Sequence, residues 1–66
     1  MIEIGYYYKK GDKWILVYQN FHNYQKALRF MFMIKNRPNM VFMSINGDDK
    51  YEIDLIRRKT GVDIVK

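Results

Sequence analysis

The side chains that can perform nucleophilic or acid–base chemistry are few in this 66-residue chain. His22 is its only histidine, cysteine is absent, and its one serine, Ser44, lies in an apolar run that predicts a strand. A serine–histidine pair would depend on one candidate of each kind, and no nucleophile-elbow sequence surrounds the serine. The four glycines are too widely separated for a phosphate-binding loop. We therefore expect no catalytic residue and no enzymatic activity, with His22 as a polar residue of a connector.

One acidic cluster suits a hard cation such as magnesium, because such ions take carboxylate oxygens as ligands. Its members are Asp48, Asp49, Glu52 and Asp54. Their spacing does not match a calcium-binding loop, which needs ligands at alternate positions and a central glycine. The N-terminus of a helix or a solvated turn accounts for the same charges. Because the chain adds no cysteine and only one histidine as further ligands, we expect neither a metal site nor a cofactor.

The basic charge is unevenly distributed along the chain. The net charge is +5, and all of it belongs to residues 1–38, since residues 39–66 are balanced. Three aromatic residues, Tyr7, Trp14 and Tyr18, accompany the lysines of the N-terminal part. Positive charge beside flat rings is the combination that binds single-stranded nucleic acid, because it neutralises phosphates and stacks bases. Direct binding of single-stranded nucleic acid is therefore one hypothesis, although no RNP-like sequence is present.

The composition also indicates a source and a compartment. Residue types with A/T-rich codons supply more than half of the chain, which resembles the accessory proteins of phages and mobile elements in low-GC bacteria. The N-terminus has no basic segment followed by an apolar one, so we expect no signal peptide. The longest apolar runs, residues 30–34 among them, have five residues, far fewer than the roughly 20 that span a bilayer. We expect a soluble protein in the cytoplasm of a bacterial host cell, without a membrane partner.

Two apolar runs near the N-terminus predict a β-hairpin. In residues 2–8, Ile2, Ile4, Tyr6 and Tyr8 alternate with Glu3, Gly5 and Tyr7, whereas residues 14–18 are aromatic and aliphatic, with β-branched members. Residues 9–12 between the two runs have the composition of a tight turn. Symmetric closure then pairs Tyr6 with Ile15. Both faces of this hairpin are apolar: one carries Ile2, Ile4, Tyr6, Ile15 and Val17, and the other carries Tyr7, Trp14, Leu16 and Tyr18.

The segment Tyr24–Asn36 predicts an amphipathic helix, with Asn23 as its N-cap and Pro38 ending it. Phe30 lies at the edge of its apolar arc and Met33 lies among its polar residues, so both are expected to reach beyond the buried face. Residues 40–45 predict a strand beside the hairpin. The apolar arc of the helix consists of Tyr24, Ala27, Leu28, Met31, Phe32 and Ile34.

Two structures remain open for residues 48–60. Asn46-Gly47 is a strong hairpin signal, and the alternation of Tyr51, Ile53 and Leu55 with acidic residues fits a fourth strand. Residues 62–65 suit a further short edge strand.

The alternative for the same segment is a short helix that Asp48 or Asp49 caps and that runs through Lys59. Acidic residues at its start and basic residues before Gly61 match the helix dipole at both ends. Its apolar stripe would consist of Tyr51, Leu55 and Ile56. The charge arrangement favours this helix narrowly over the strand.

These elements predict one α+β domain over residues 1–66, with the helix Tyr24–Asn36 packed on a three- or four-stranded, mostly antiparallel sheet. One helix covers only one face of a small sheet, and both hairpin faces are apolar. Apolar surface therefore remains in excess unless the C-terminal element covers it, and exposed apolar patches mark partner sites. Aromatic residues, methionine and arginine are also the types enriched at protein interfaces.

We therefore expect a non-enzymatic accessory or inhibitor protein that binds a protein or nucleoprotein partner. The alternative is direct binding of single-stranded nucleic acid. A third hypothesis is a homo-oligomer in which the excess apolar surfaces of the copies contact each other. The expected contact residues are Tyr7, Lys9, Lys10, Lys13, Trp14, Tyr18, Phe30 and Met33.

Overall fold

The computed structural model describes residues 1–62. Within that range the strands form one antiparallel sheet in the order β2-β1-β3, accompanied by two helices. The predicted α+β class, the N-terminal hairpin, the central helix and the third strand beside the hairpin are confirmed. The elements in chain order are β1 (Ile2–Lys10), β2 (Lys13–Phe21), α1 (Tyr24–Asn36), β3 (Met40–Gly47) and α2 (Lys50–Thr60).

The hairpin turn consists of Gly11 and Asp12 alone, with Lys10 paired to Lys13. Gly11 has φ 66°, and no residue other than glycine has a positive φ within the described chain. A glycine with positive φ at the first central position is what a type II′ hairpin turn requires. The predicted pairing is wrong by two positions, because the turn is centred one residue later: Tyr6 faces Val17, not Ile15. The predicted assignment of residues to the two faces is nevertheless correct, because a register shift of two residues leaves each side chain on the same side of the sheet.

Helix α1 has the predicted bounds because both of its ends are set by local signals. The Asn23 side-chain oxygen accepts hydrogen bonds from the backbone N–H of Gln25 at 2.7 Å and of Lys26 at 3.2 Å. These bonds satisfy two of the donors that a helix start leaves unpaired. At the other end Arg37 is extended, at φ −105° and ψ 128°, as the following proline demands.

The helix alternative for residues 48–60 is confirmed, and the fourth strand over these residues is wrong. The Asp49 carboxylate accepts hydrogen bonds from the N–H of Tyr51 at 2.9 Å and of Glu52 at 3.3 Å. Gly61 ends the helix in the left-handed conformation at φ 68° and donates its N–H to the Arg57 carbonyl at 2.8 Å. Of the edge strand expected at residues 62–65, Val62 lies in a turn and the remainder lies outside the described residues.

The core lies between one face of the sheet and both helices. Helix α2 packs beside α1 on this face, so it does not cover the opposite one. Its buried stripe differs from the prediction, because Tyr51 is 69% exposed and Ile53 packs against the core with the fully buried Ile56. The buried apolar side chains are Ile2, Ile4, Tyr6, Ala27, Met31, Ile34, Ile45 and Ile56.

We expect Ile56→Ala to lower the free energy of unfolding by about 2–5 kcal/mol, because it removes buried methyl and methylene groups and leaves a cavity. Tyr51→Ala on the same helix serves as the control, and its effect is much smaller because Tyr51 is mostly exposed. Denaturant unfolding followed by circular dichroism measures both values. Equal losses for the two variants would contradict the packing of α2 described here.

Candidate binding surface

The side of the sheet opposite the helices is referred to here as the open face. Strand alternation places on it Glu3, Gly5, Tyr7 and Lys9 of β1, together with their neighbours on β2 and β3. No element of residues 1–62 packs over it. Its large apolar side chains remain substantially exposed: Tyr7 38%, Trp14 46%, Leu16 41%, Tyr18 53% and Val41 49%.

Gly5 allows two side chains to cross the middle of the open face. A Cβ atom at this position would lie 2.7 Å from Ser44 Oγ, 2.9 Å from Tyr18 Cε1 and 3.1 Å from Met43 Cε. The sheet register shifts between Gly5 and Tyr6, where Met43 is the extra residue of β3. Tyr18 and Met43 therefore lie against the backbone of the central strand, and Ser44 belongs to this packing.

The hairpin tip contributes the positive charge beside the open face. Lys9 is the cross-strand neighbour of Trp14, and its Nζ lies 5.9 Å from the centre of the indole ring. Lys10 and Lys13 form the last pair of the hairpin, and strand alternation places both on the helix-bearing side of the sheet. The Lys9 N–H donates to the Asn39 carbonyl at 2.8 Å, which brings the loop after α1 to the same end.

Phe30 and Met33 lie on the helix-bearing side of the sheet, away from the open face. The Phe30 ring is 5.1 Å from that of Tyr6 and 5.0 Å from that of Phe21, so Phe30 packs against the core. The expectation that it reaches beyond the buried face is wrong, because Phe30 shares a helical stripe with Ala27, Met31 and Ile34. Phe32, expected within the apolar arc, is instead 39% exposed.

The eight expected contact residues therefore fall into three groups. Four of them share the open face, two extend the hairpin tip, and two belong to the opposite side. Sequence reasoning omitted Val41 and Met43 from the set, because it assigned no faces to β3. Alternation along β3 was the available signal for Val41, whereas the bulge that turns Met43 to this side has no local signature. The four residues on the open face are Tyr7, Lys9, Trp14 and Tyr18.

The acidic cluster has structural roles in the described residues. Asp49 caps α2, Asp48 lies 3.3 Å from the N-terminal amino group, and Asp54 pairs with Arg58 at 2.7 Å. Within residues 1–62 no three His, Cys, Asp or Glu side chains are grouped so as to hold a metal ion. His22 is exposed in the connector between β2 and α1.

Comparison with models of protein families, with curated proteins and with solved structures finds no match to this chain. Neither of the two described helices has the length and apolar character needed to cross a membrane. The chemistry of the open face and of the hairpin tip is therefore the basis on which a function is inferred.

We expect Trp14→Ala to lower the free energy of unfolding by less than about 1 kcal/mol, the size of an exposed cation–π contact. The side chain is half exposed and lies outside the core. Tyr6→Ala is the matched control, because Tyr6 is an aromatic residue of the same hairpin that is 8% exposed. Denaturant titration distinguishes the two, and loss of folding in Trp14→Ala would show that the open face is part of the core.

Proposed function

We propose that this chain is a small, non-enzymatic binding protein of the accessory or inhibitor type that phages and mobile elements encode. Its open face docks on a protein or nucleoprotein partner. The observation that carries the proposal is the exposure of Tyr7, Trp14 and Tyr18 on a sheet face that neither helix covers. Contiguous exposed apolar surface of this kind marks interaction sites, and tyrosine and tryptophan are enriched among the residues that dominate binding energy.

The distribution of charge on the open face favours a protein surface as the partner. Along the three strands its charged residues are Glu3 and Lys9, at opposite ends of β1. The area between them is aromatic and aliphatic, and interface centres are depleted of charge in the same way. The tip lysines Lys10 and Lys13 then form part of a polar rim, where charge steers association more than it strengthens binding.

The test uses the tagged chain as bait in a lysate of the host cell. We expect it to capture a protein that Tyr7→Ala and Trp14→Ala capture at least about tenfold less well, which corresponds to about 1.4 kcal/mol. Phe32→Ala serves as the control, because Phe32 is similarly exposed at 39% but lies on α1. Quantitative mass spectrometry measures the recovery. Equal recovery with all variants would contradict docking through the open face.

Single-stranded nucleic acid is a second candidate partner, favoured by one observation. Lys9 lies over the Trp14 ring at the same end of the sheet as Lys10 and Lys13. A base stacked on an aromatic side chain there has cations nearby for its phosphates. The uncharged middle of the open face limits this mode to the hairpin tip.

Trp14 is the only tryptophan, so its fluorescence reports directly on the hairpin tip. If nucleic acid is the partner, a single-stranded oligonucleotide changes this emission at low salt, and the affinity falls steeply as salt rises. The physical reason is that each phosphate contact releases counterions. Absence of any change at low salt removes this candidate and leaves the protein partner.

A further inference from the structure

In the part of the chain that the structure describes, strand β2 is exposed on both of its sides and no strand pairs with its outer edge. Among the described residues it lies at the end of the sheet order β2-β1-β3, where β1 is its one pairing partner. Trp14 and Leu16 are 46% and 41% exposed on the open face. Strand alternation places Ile15 on the helix-bearing side of the sheet, yet Ile15 is also 42% exposed. The helices therefore do not reach over this part of the strand.

This exposure on two sides indicates how a partner contacts β2. A partner seated on the open face covers Trp14 and Leu16, but it does not reach Ile15 on the other side. A strand added along the edge places side chains next to all three, because opposite residues of paired strands share a face.

The edge also lacks the features that block strand addition. An edge strand presents a row of unpaired N–H and C=O groups, which natural proteins protect with proline, charges or bulges. The only proline of the chain is Pro38, and no charged residue occurs from position 14 to position 21. The pairing of β2 with β1 is regular over all nine residues. The edge of β2 is therefore competent to bind an extended strand.

The sequence of β2 is complementary to itself about Leu16. The order of residues from 14 to 18 is aromatic, β-branched, leucine, β-branched, aromatic. Antiparallel pairing of two copies about this point places Trp14 opposite Tyr18 of the second copy, and Ile15 opposite Val17. Lys13 then faces Gln19, so no like charges are opposed. Aromatic pairs and pairs of β-branched residues are the cross-strand neighbours that stabilise antiparallel strands.

We propose that β2 pairs antiparallel with β2 of a second copy, about a two-fold axis at Leu16. The two sheets join into one of six strands, and the interface is isologous, as in most homodimers. The aromatic side chains of β2 keep their outward surface, so the two open faces lie side by side. The inference does not depend on the proposed function, since Ile15 lies on the helix side and Tyr7 lies on β1.

The mass of the chain in solution tests the pairing. We expect sedimentation velocity to show twice the monomer mass at high concentration. Ile15→Lys should weaken dimerisation by more than about tenfold, because it places an unpaired cation beside Val17 of the second copy. Val41→Lys is the matched control, because Val41 is 49% exposed on β3 at the other edge of the described sheet. We expect this variant to retain the dimer. A monomer at every concentration, or equal effects of both variants, overturns the proposal.

The absence of cysteine permits a direct test of the register that does not depend on Ile15→Lys. Residues at the two-fold axis have Cα atoms about 4.5–5.5 Å apart, within the roughly 4.4–6.8 Å that a disulfide spans. Leu16→Cys should therefore form a covalent dimer rapidly on oxidation.

Trp14→Cys lies on the same edge with similar exposure, but two copies of position 14 are separated by about 14 Å in this register. We expect little crosslinking of that variant, as read by non-reducing electrophoresis, with circular dichroism confirming that both variants fold. Equal crosslinking at the two positions, as random collision produces, overturns the proposal.

Discussion

Burial of Ile4 in the core that the sheet forms with the helices is the interaction on which the rest of the structure depends. This residue is the third of the central strand, where it pairs with Gln19 of β2 and Ile45 of β3, and it has no exposed surface. A nine-residue strand is about 30 Å long, whereas helices of 13 and 11 residues are about 20 Å and about 16 Å. Both helices are therefore used to cover one face of the sheet, and residues 1–62 contain no third element for the other. Within the described residues, the opposite face of the sheet therefore stays open.

Local signals in the sequence were sufficient to predict the bounds of α1. Asn23 and Pro38 act within a turn of the helix ends, so no distant contact is needed to interpret them. Residues 48–60 were ambiguous because alternation and helix caps disagreed, and the hydrogen bonds that Asp49 and Gly61 make resolve the choice. The side of the sheet on which α2 packs was not predictable. An amphipathic pattern reveals that a helix has a buried stripe, but not which surface buries it.

The candidate surface shows the same division between local and long-range information. Alternation alone placed Tyr7 and Trp14 on one side of the hairpin, and this assignment was correct even though the register was wrong. The exposure of that side was not predictable, because it depends on where α2 packs. The position of β2 at the edge is also a tertiary property, since nothing local indicates that β3 pairs with β1. Phe30 was assigned to the exposed surface because the orientation of α1 on the sheet depends on contacts with Tyr6 and Phe21.

Tyr6 and Tyr7 permit the most direct test of the one-sided sheet, because they are identical side chains at adjacent positions on opposite faces. Tyr6 is 8% exposed beneath α1 and Tyr7 is 38% exposed on the open face. Hydroxyl-radical footprinting read by mass spectrometry measures the oxidation of each ring in the folded chain. We expect rapid oxidation of Tyr7 and strong protection of Tyr6. Equal protection of the two tyrosines would contradict an open face and the binding role proposed for it.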